Sequence, residues 1–221
     1  MRYLITGGAG FLGTNFAEKL LKENHYVCIY DSLGRPGGGS EKNINYLKKK
    51  FGGSKNFMFL KESVTDLEKL KSVMKDFDFI YHLAAQTAMT TSITDPVNDF
   101  VINATGSFNV LEAARQKNDN AVMMYTSTNK VYGNLLDIKL VENIKRWDFQ
   151  DKKLIDGISE SQPINPESPY GCSKYAGDAY FQDYCRTYGL KTVVFRCSAM
   201  YGGQQRVLED QGWVGWFLKR A

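Results

Sequence analysis

A short apolar run at 3–5 stops at Gly7, and after Gly13 apolar Phe16, Ala17, Leu20 and Leu21 return at helical spacing. Between them lies Gly7-Gly8-Ala9-Gly10-Phe11-Leu12-Gly13. The pattern predicts a strand, a tight glycine turn and a helix. Such a turn leaves backbone N–H groups free at the positive end of the helix dipole, which is an anion site. Its glycines let a pyrophosphate come close to the backbone and let helix pack on strand. A second apolar run, 26–30, ends at Asp31. That is about twenty residues past the turn, where an acid accepts from ribose hydroxyls. A carboxylate there repels a 2′-phosphate, so the expected dinucleotide is NAD rather than NADP. Arg35 would tolerate a phosphate and works against that preference.

The rest of the chain repeats the alternation. Apolar runs at 57–60, 79–83, 121–125 and 192–195 are separated by helical patterns at 43–51, 66–77, 95–117 and 168–188. Asp95-Pro96 and Ser168-Pro169 open two of those helices, since proline suits a first turn. The glycines around Arg35 predict a loop, and 135–166 reads as a polar, irregular surface excursion. Strands apolar throughout, alternating with helices, predict an α/β fold with a parallel sheet covered on both faces. Right-handed crossovers make it a Rossmann-type doubly wound sheet, here one domain over 1–221. Ligands in such sheets sit beyond the carboxyl ends of the strands. The residues to inspect are therefore 7–12, Asp31, 83–86, 126–128 and 197–200.

Composition narrows the partners. Of 221 residues, 43% are hydrophobic and 24% charged, as in ordinary globular proteins. The net charge of +4 is mild and scattered, which argues against nucleic acid or a membrane as partner. Lys48-Lys49-Lys50 reads as a solvated helix end. With no membrane-length apolar stretch and a strand at the very start, a cytoplasmic protein is expected. Cys28, Cys172, Cys185 and Cys197 lack paired spacing, so reduced thiols are expected rather than disulfides or a metal cage. His25 and His82 lack metal-ligand spacing, and His82 reads as a structural histidine.

Two strand-end or helix-start segments carry chemistry. Thr126-Ser127-Thr128 closes the fifth strand, and Tyr170-Gly171-Cys172-Ser173-Lys174 begins a helix. Tyr170 and Lys174 are four apart and share a face. A free tyrosine is only about a thousandth phenolate at neutral pH. A neighbouring ammonium and an oxidised nicotinamide both favour the phenolate. Tyr170 can then remove a hydroxyl proton while hydride leaves the same carbon, and Thr128 can hold that oxygen.

Thr6-Gly7-Gly8-Ala9-Gly10-Phe11-Leu12-Gly13, His82-Leu83-Ala84-Ala85, Val131-Tyr132-Gly133, Tyr170 with Lys174, and Phe195-Arg196 together resemble the extended short-chain dehydrogenase/reductase family of sugar-nucleotide epimerases and dehydratases. The resemblance runs the length of the chain. Ala88-Met89-Thr90-Thr91-Ser92, Ser127-Thr128-Asn129-Lys130, Ser168-Pro169-Tyr170 and Gln211-Gly212-Trp213-Val214-Gly215-Trp216-Phe217 are similar to the branch that epimerises CDP-linked dideoxysugars at C2. The resemblance implies an NAD-dependent isomerase whose catalytic set is Thr128, Tyr170 and Lys174. It implies cofactor contacts at Gly7, Gly10, Phe11, Leu12, Asp31, Ser32, Ser63, Val64, Leu83, Ala84, Ala85, Gln86, Asn103, Thr126, Tyr170, Lys174 and Cys197. Thr90, Thr91, Thr128 and Asn129 would meet the sugar. Ser63 stands where the family has an acid for the adenine amino group, a weaker acceptor there.

Reaction type has an internal check. Dehydratases of this kind carry an Asp-Glu pair after the catalytic Thr, to protonate a leaving hydroxyl and enolise. Asn129-Lys130 supplies no such carboxyls, which leaves an epimerase ahead. A C4 epimerase of a UDP- or GDP-sugar, and a dinucleotide-binding scaffold without turnover, stay open. The family also implies a homo-oligomer that pairs helices 95–117 and 168–188. The chain stops at Leu218-Lys219-Arg220-Ala221 inside an apparent helix. The family's smaller C-terminal substrate domain is expected to be largely missing, leaving Trp213, Val214, Trp216 and Phe217 as an uncovered apolar patch.

Overall fold

The computed structural model describes residues 1–34, 39–209 and 211–221; Arg35 and Asp210 lie outside the described residues. The first half runs β1 (Arg2–Thr6), α1 (Phe11–Lys22), β2 (Tyr26–Tyr30), α2 (Glu41–Phe51), β3 (Phe57–Leu60), α3 (Leu67–Val73) and β4 (Phe79–His82). Then come α4 (Met89–Thr94), α5 (Pro96–Phe100), a π-turn over Val101–Thr105, and α6 (Gly106–Lys117). β5 (Val122–Thr128) leads into a 3₁₀ turn at Asn129–Tyr132. β6 (Leu140–Glu142), β7 (Trp147–Phe149), α7 (Pro169–Tyr188), β8 (Lys191–Cys197) and α8 (Trp213–Arg220) complete the chain.

Six strands form one parallel sheet in the order β3-β2-β1-β4-β5-β8. This is the doubly wound Rossmann arrangement, with the order reversing between β1 and β4. Alternation along each strand sends neighbours to opposite faces. Thus Ile5 and Ile29 pack under α1 and α2 with Ala17, Leu20, Leu21 and Leu47. Leu4, Tyr30, Ile80 and Met123 pack against α3, α6 and α7 with Leu70, Leu111 and Phe181. Each buried leucine contributes about 1.5–3 kcal/mol through apolar burial.

Four expectations change. The helix expected at 66–77 spans only Leu67–Val73, capped by the Asp66 side chain on Lys69 N–H. The helix expected at 95–117 is interrupted by the π-turn, where the Asn103 side chain is drawn into a tertiary hydrogen-bond network. The excursion 135–166 contains an antiparallel hairpin, β6 against β7. The sheet is not covered throughout: edge strand β8 shows Val193 and Phe195 at 45% and 49% exposure. Trp213 and Phe217 on α8 are likewise exposed, whereas Val214 and Trp216 are half-buried.

Candidate active site

The glycine turn is built as the spacing requires. Gly7 has φ +68, and a Cβ there would stand 2.5 Å from the Ala84 nitrogen. Only glycine takes that conformation against so close a strand end. Gly13 lets α1 cross the turn, since its Cβ would lie 2.4 Å from Gly8 Cα. Gly10 begins α1 with no side-chain cap. The first amides of the helix therefore present the positive end of its dipole to the cleft. Asp31 follows β2 at 8% exposure, and its carboxylate accepts from Ala9 N–H at 3.0 Å and Leu33 N–H at 2.8 Å. Burial raises its proton affinity, and those two N–H groups oppose the rise.

Beyond the strand ends lies a cleft of about 1030 Å³. Gly7, Gly10, Phe11 and Leu12 form its floor by the turn, with Asp31 and Ser32 after β2. Ser63 and Val64 follow β3, and Leu83, Ala84, Ala85 and Gln86 follow β4. Thr126 and Thr128 line it from β5, Asn129 from the 3₁₀ turn, Tyr170 and Lys174 from α7, Cys197 from β8 and Thr91 from α4. The structure therefore gathers nearly all the residues singled out from sequence around one cavity.

Two of them stand apart. Thr90, expected to meet the sugar, lies in helix α4. There Ala88 and Ser92 turn inward and Thr90 points out, exposed. Asn103 is fully buried and does not line the cleft. Its amide donates to Gln86 O at 3.0 Å, Ser173 Oγ at 3.0 Å and Asp99 Oδ1 at 3.2 Å, and its oxygen accepts from Gln86 N–H at 2.9 Å. It fixes the wall of the cavity from behind.

The reactive face is electrostatically unusual. Lys174 is 3% exposed. Burial pulls its amine down to about 7, while Cys197, Asp178 and Asp99 pull the other way. Ser173 Oγ donates to Asp99 Oδ2 at 2.5 Å, tying α7 to α5 beneath Tyr170. His82 is fully buried between Thr6 Oγ1 at 2.7 Å and Ser107 Oγ at 3.0 Å. Burial first, then the Lys174 charge, pushes it down to about 3, so it is a neutral structural imidazole. Cys28, Cys172, Cys185 and Cys197 are free thiols. Among the described residues, no helix is long and apolar enough to cross a membrane.

A segment lining the cleft after β8 is tied down by contacts that carry no local sequence signal. Asn15 Nδ2 donates to Gly203 O at 2.7 Å and Asn43 Nδ2 to Gln204 O at 3.2 Å. Arg206 Nε donates to Asn43 Oδ1 at 3.0 Å, and Gln211 Nε2 bonds Thr87 Oγ1. These contacts span 124 to 188 residues of sequence, so no local pattern announces them.

Comparison with known proteins agrees with this geometry. The family described as GDP-mannose 4,6 dehydratase matches residues 4–210. CDP-paratose 2-epimerase of Salmonella typhi is 44% identical over 223 residues, covering 100% of this chain and 64% of its own. A putative UDP-glucose 4-epimerase of Methanocaldococcus jannaschii is 31% identical over 220 residues, covering 98% and 62%. Among solved structures, the UDP-glucose 4-epimerase of Thermus thermophilus in complex with NAD superposes with a TM-score of 0.76. It is 32% identical and covers 100% of this chain and 62% of that one. The chain thus spans less than two thirds of the length of these relatives. From the glycine turn to the last strand of the sheet, this chain belongs to the GDP-mannose 4,6-dehydratase family within the short-chain dehydrogenases/reductases.

Proposed function

We propose that this chain is the dinucleotide-binding part, residues 1–221, of an NAD-dependent nucleotide-sugar epimerase. Its substrate on this reading is a CDP-linked dideoxysugar, CDP-paratose, inverted at C2 to CDP-tyvelose. The observation that carries it is the meeting of Thr128, Tyr170 and Lys174 in the same cleft as the glycine turn and Asp31. The residues fit NAD: an uncapped helix start for the pyrophosphate, a tight turn that glycine at 7 and 13 permits, and a buried carboxylate for the ribose hydroxyls. When bound, NAD supplies the hydride acceptor and donor. Tyr170 takes the proton from the sugar hydroxyl and later returns it. Lys174 favours the phenolate during that exchange. Thr128 Oγ1 holds the sugar oxygen, and Asn129 beside it meets the ring. Thr126, Cys197 and Ala85 wall the nicotinamide end, and Ser63 and Val64 the adenine end.

Similarity to CDP-paratose 2-epimerase and the Asn129-Lys130 pair after Thr128 support inversion over dehydration. A panel of CDP-, UDP- and GDP-sugars offered to the full-length protein tests the reading. CDP-paratose deuterated at C2 is expected to interconvert with CDP-tyvelose with the label retained at C2, and activity confined to C4 of UDP-glucose overturns the substrate assignment. The 221-residue chain alone is expected to bind NAD with little or no turnover. Exposed Phe100, Val101, Phe108, Tyr180 and Tyr188 on and around α5, α6 and α7 support a homo-oligomer. A monomer by light scattering counts against it. Four free thiols fit a reducing, cytoplasmic setting.

A further inference from the structure

Tyr170, Lys174 and Asp178 follow one another at four-residue steps on α7, so their side chains form a stripe. Asp178 is fully buried. Its carboxylate grips the Arg196 guanidinium at two points, Nε to Oδ2 at 3.0 Å and Nη2 to Oδ1 at 3.1 Å. Arg196 Nη1 donates to the Tyr132 hydroxyl at 2.8 Å. Tyr132 is the last residue of the 3₁₀ turn that starts directly after Thr128, and the Thr128 hydroxyl caps that turn by accepting from Lys130 N–H at 3.2 Å. One guanidinium therefore joins the helix of Tyr170 and Lys174, edge strand β8, and the turn that follows Thr128. Lysine could not replace it, because a single ammonium lacks the planar fork.

We propose that Asp178, held in place by Arg196 and Tyr132, is a positioning residue that keeps the Tyr170–Lys174 pair competent for proton transfer. The inference rests on the epimerase reading for its purpose, but not for its test. Tyr170 lies one turn before Lys174 on α7, and the amine is faced by Asp178 from the same helix, Asp99 from α5, His82 from β4, Tyr125 from β5 and Cys197 from β8. His82 is neutral, and burial raises the Cys197 thiol, so neither brings a negative charge at neutral pH. Burial also raises the proton affinity of Asp99, whose oxygens already hold Ser173 and Asn103. Asp178 is the carboxylate fixed by a guanidinium, and it sits one helical turn from the amine it supports. Burial already pulls the Lys174 amine down to about 7 against the pull of Asp178; without that carboxylate the amine falls further, and less of the ammonium remains at neutral pH to stabilise the Tyr170 phenolate.

The test is the ionisation of Tyr170, read from ultraviolet tyrosinate absorbance as the difference between each protein and the same protein carrying Tyr170→Phe. It is made on the 221-residue chain with and without NAD⁺. In Asp178→Asn, folded by circular dichroism, the Tyr170 midpoint is expected to rise by about one pH unit, a roughly tenfold loss of acidity. Asp178→Asn leaves Arg196 without its partner and risks unfolding. The double variant Asp178→Leu, Arg196→Met removes both charges, and such replacements commonly preserve the fold. The same upward shift is expected there, whereas a simple structural ion pair predicts none. An unchanged midpoint in either folded variant overturns the proposal. Failure of the unaltered chain to bind NAD⁺ would instead count against the cofactor reading, and the comparison without NAD⁺ would still stand.

Discussion

The Lys174 ammonium lies 4.2 Å from the centre of the Tyr125 ring, and the side chain has almost no contact with solvent. The ring face offers a cation some compensation, but less than water does. Lys174 is therefore buried at a cost in stability. Its amine sits near 7 in the fold against 10.5 when free. The unfolded chain binds more protons between those pH values, so stability climbs as pH rises from 7 to 10.5. Lys174→Met is expected to be more stable than the unaltered chain at pH 7, by roughly 1–4 kcal/mol, and to lose that climb. Urea denaturation at pH 7 and pH 9 checks it; a less stable Met variant at pH 7 would be the contrary result.

Asp31 sets cofactor choice on this account. Asp31→Asn keeps the shape and removes the charge that accepts from the ribose hydroxyls. A charged hydrogen bond is worth about 1.5–3 kcal/mol, so NAD affinity should fall roughly 10- to 100-fold. Affinity for NADP should change little or rise, because the repulsion of a 2′-phosphate goes with the charge. Calorimetric titration with both dinucleotides measures the two numbers. Equal losses for NAD and NADP would place the ribose elsewhere.

His82 makes the fold sensitive to acid. Its folded proton affinity is near 3 and its ordinary value is 6.5. Between those limits the unfolded chain takes up the proton, so stability falls as pH falls, by about 1.4 kcal/mol per pH unit from this group. His82→Gln should show a shallower loss between pH 6 and pH 4 than the unaltered chain. Identical slopes in denaturant titrations across that range would remove His82 from the explanation.

Much of the cleft was legible because its parts are local. The turn 7–13 needs glycine for φ and for space, Asp31 ends an adjacent strand, and Tyr170 and Lys174 share a helix face within one turn. What stayed hidden is tertiary. Asn103 was expected on the cofactor, but partners 17 and 70 residues away hold it in a π-turn behind the wall. Thr90 was expected at the sugar, but the period of α4 carries it outward. Arg35, which bears on NAD against NADP, lies outside the described residues. Arg196 and Tyr132 carried a signal, since both sit in short motifs that the sequence shares with its family, but their pairing with Asp178 needs the fold.

Gly7 tests the turn itself. With φ +68 and the Ala84 nitrogen 2.5 Å from its absent Cβ, Gly7→Ala must push the turn and the Leu83–Ala84 backbone apart. A loss of about 1–3 kcal/mol in stability is expected, together with loss of NAD binding at temperatures where the variant stays folded. Thermal unfolding and calorimetry report the two effects separately. Unimpaired NAD binding in a folded Gly7→Ala protein would show that the pyrophosphate does not approach this turn.

The central claim is that a dinucleotide lies along the strand ends with its reactive ring beside Tyr170. A crystal structure of this chain grown with NAD⁺ tests it most directly. The account predicts the pyrophosphate on the amides of 10–12, a ribose on the Asp31 carboxylate, and the nicotinamide ring within reach of Tyr170, Lys174 and Thr128. Density for the cofactor in another place, or a nicotinamide ring turned away from Tyr170 with the pyrophosphate on the turn, would contradict it.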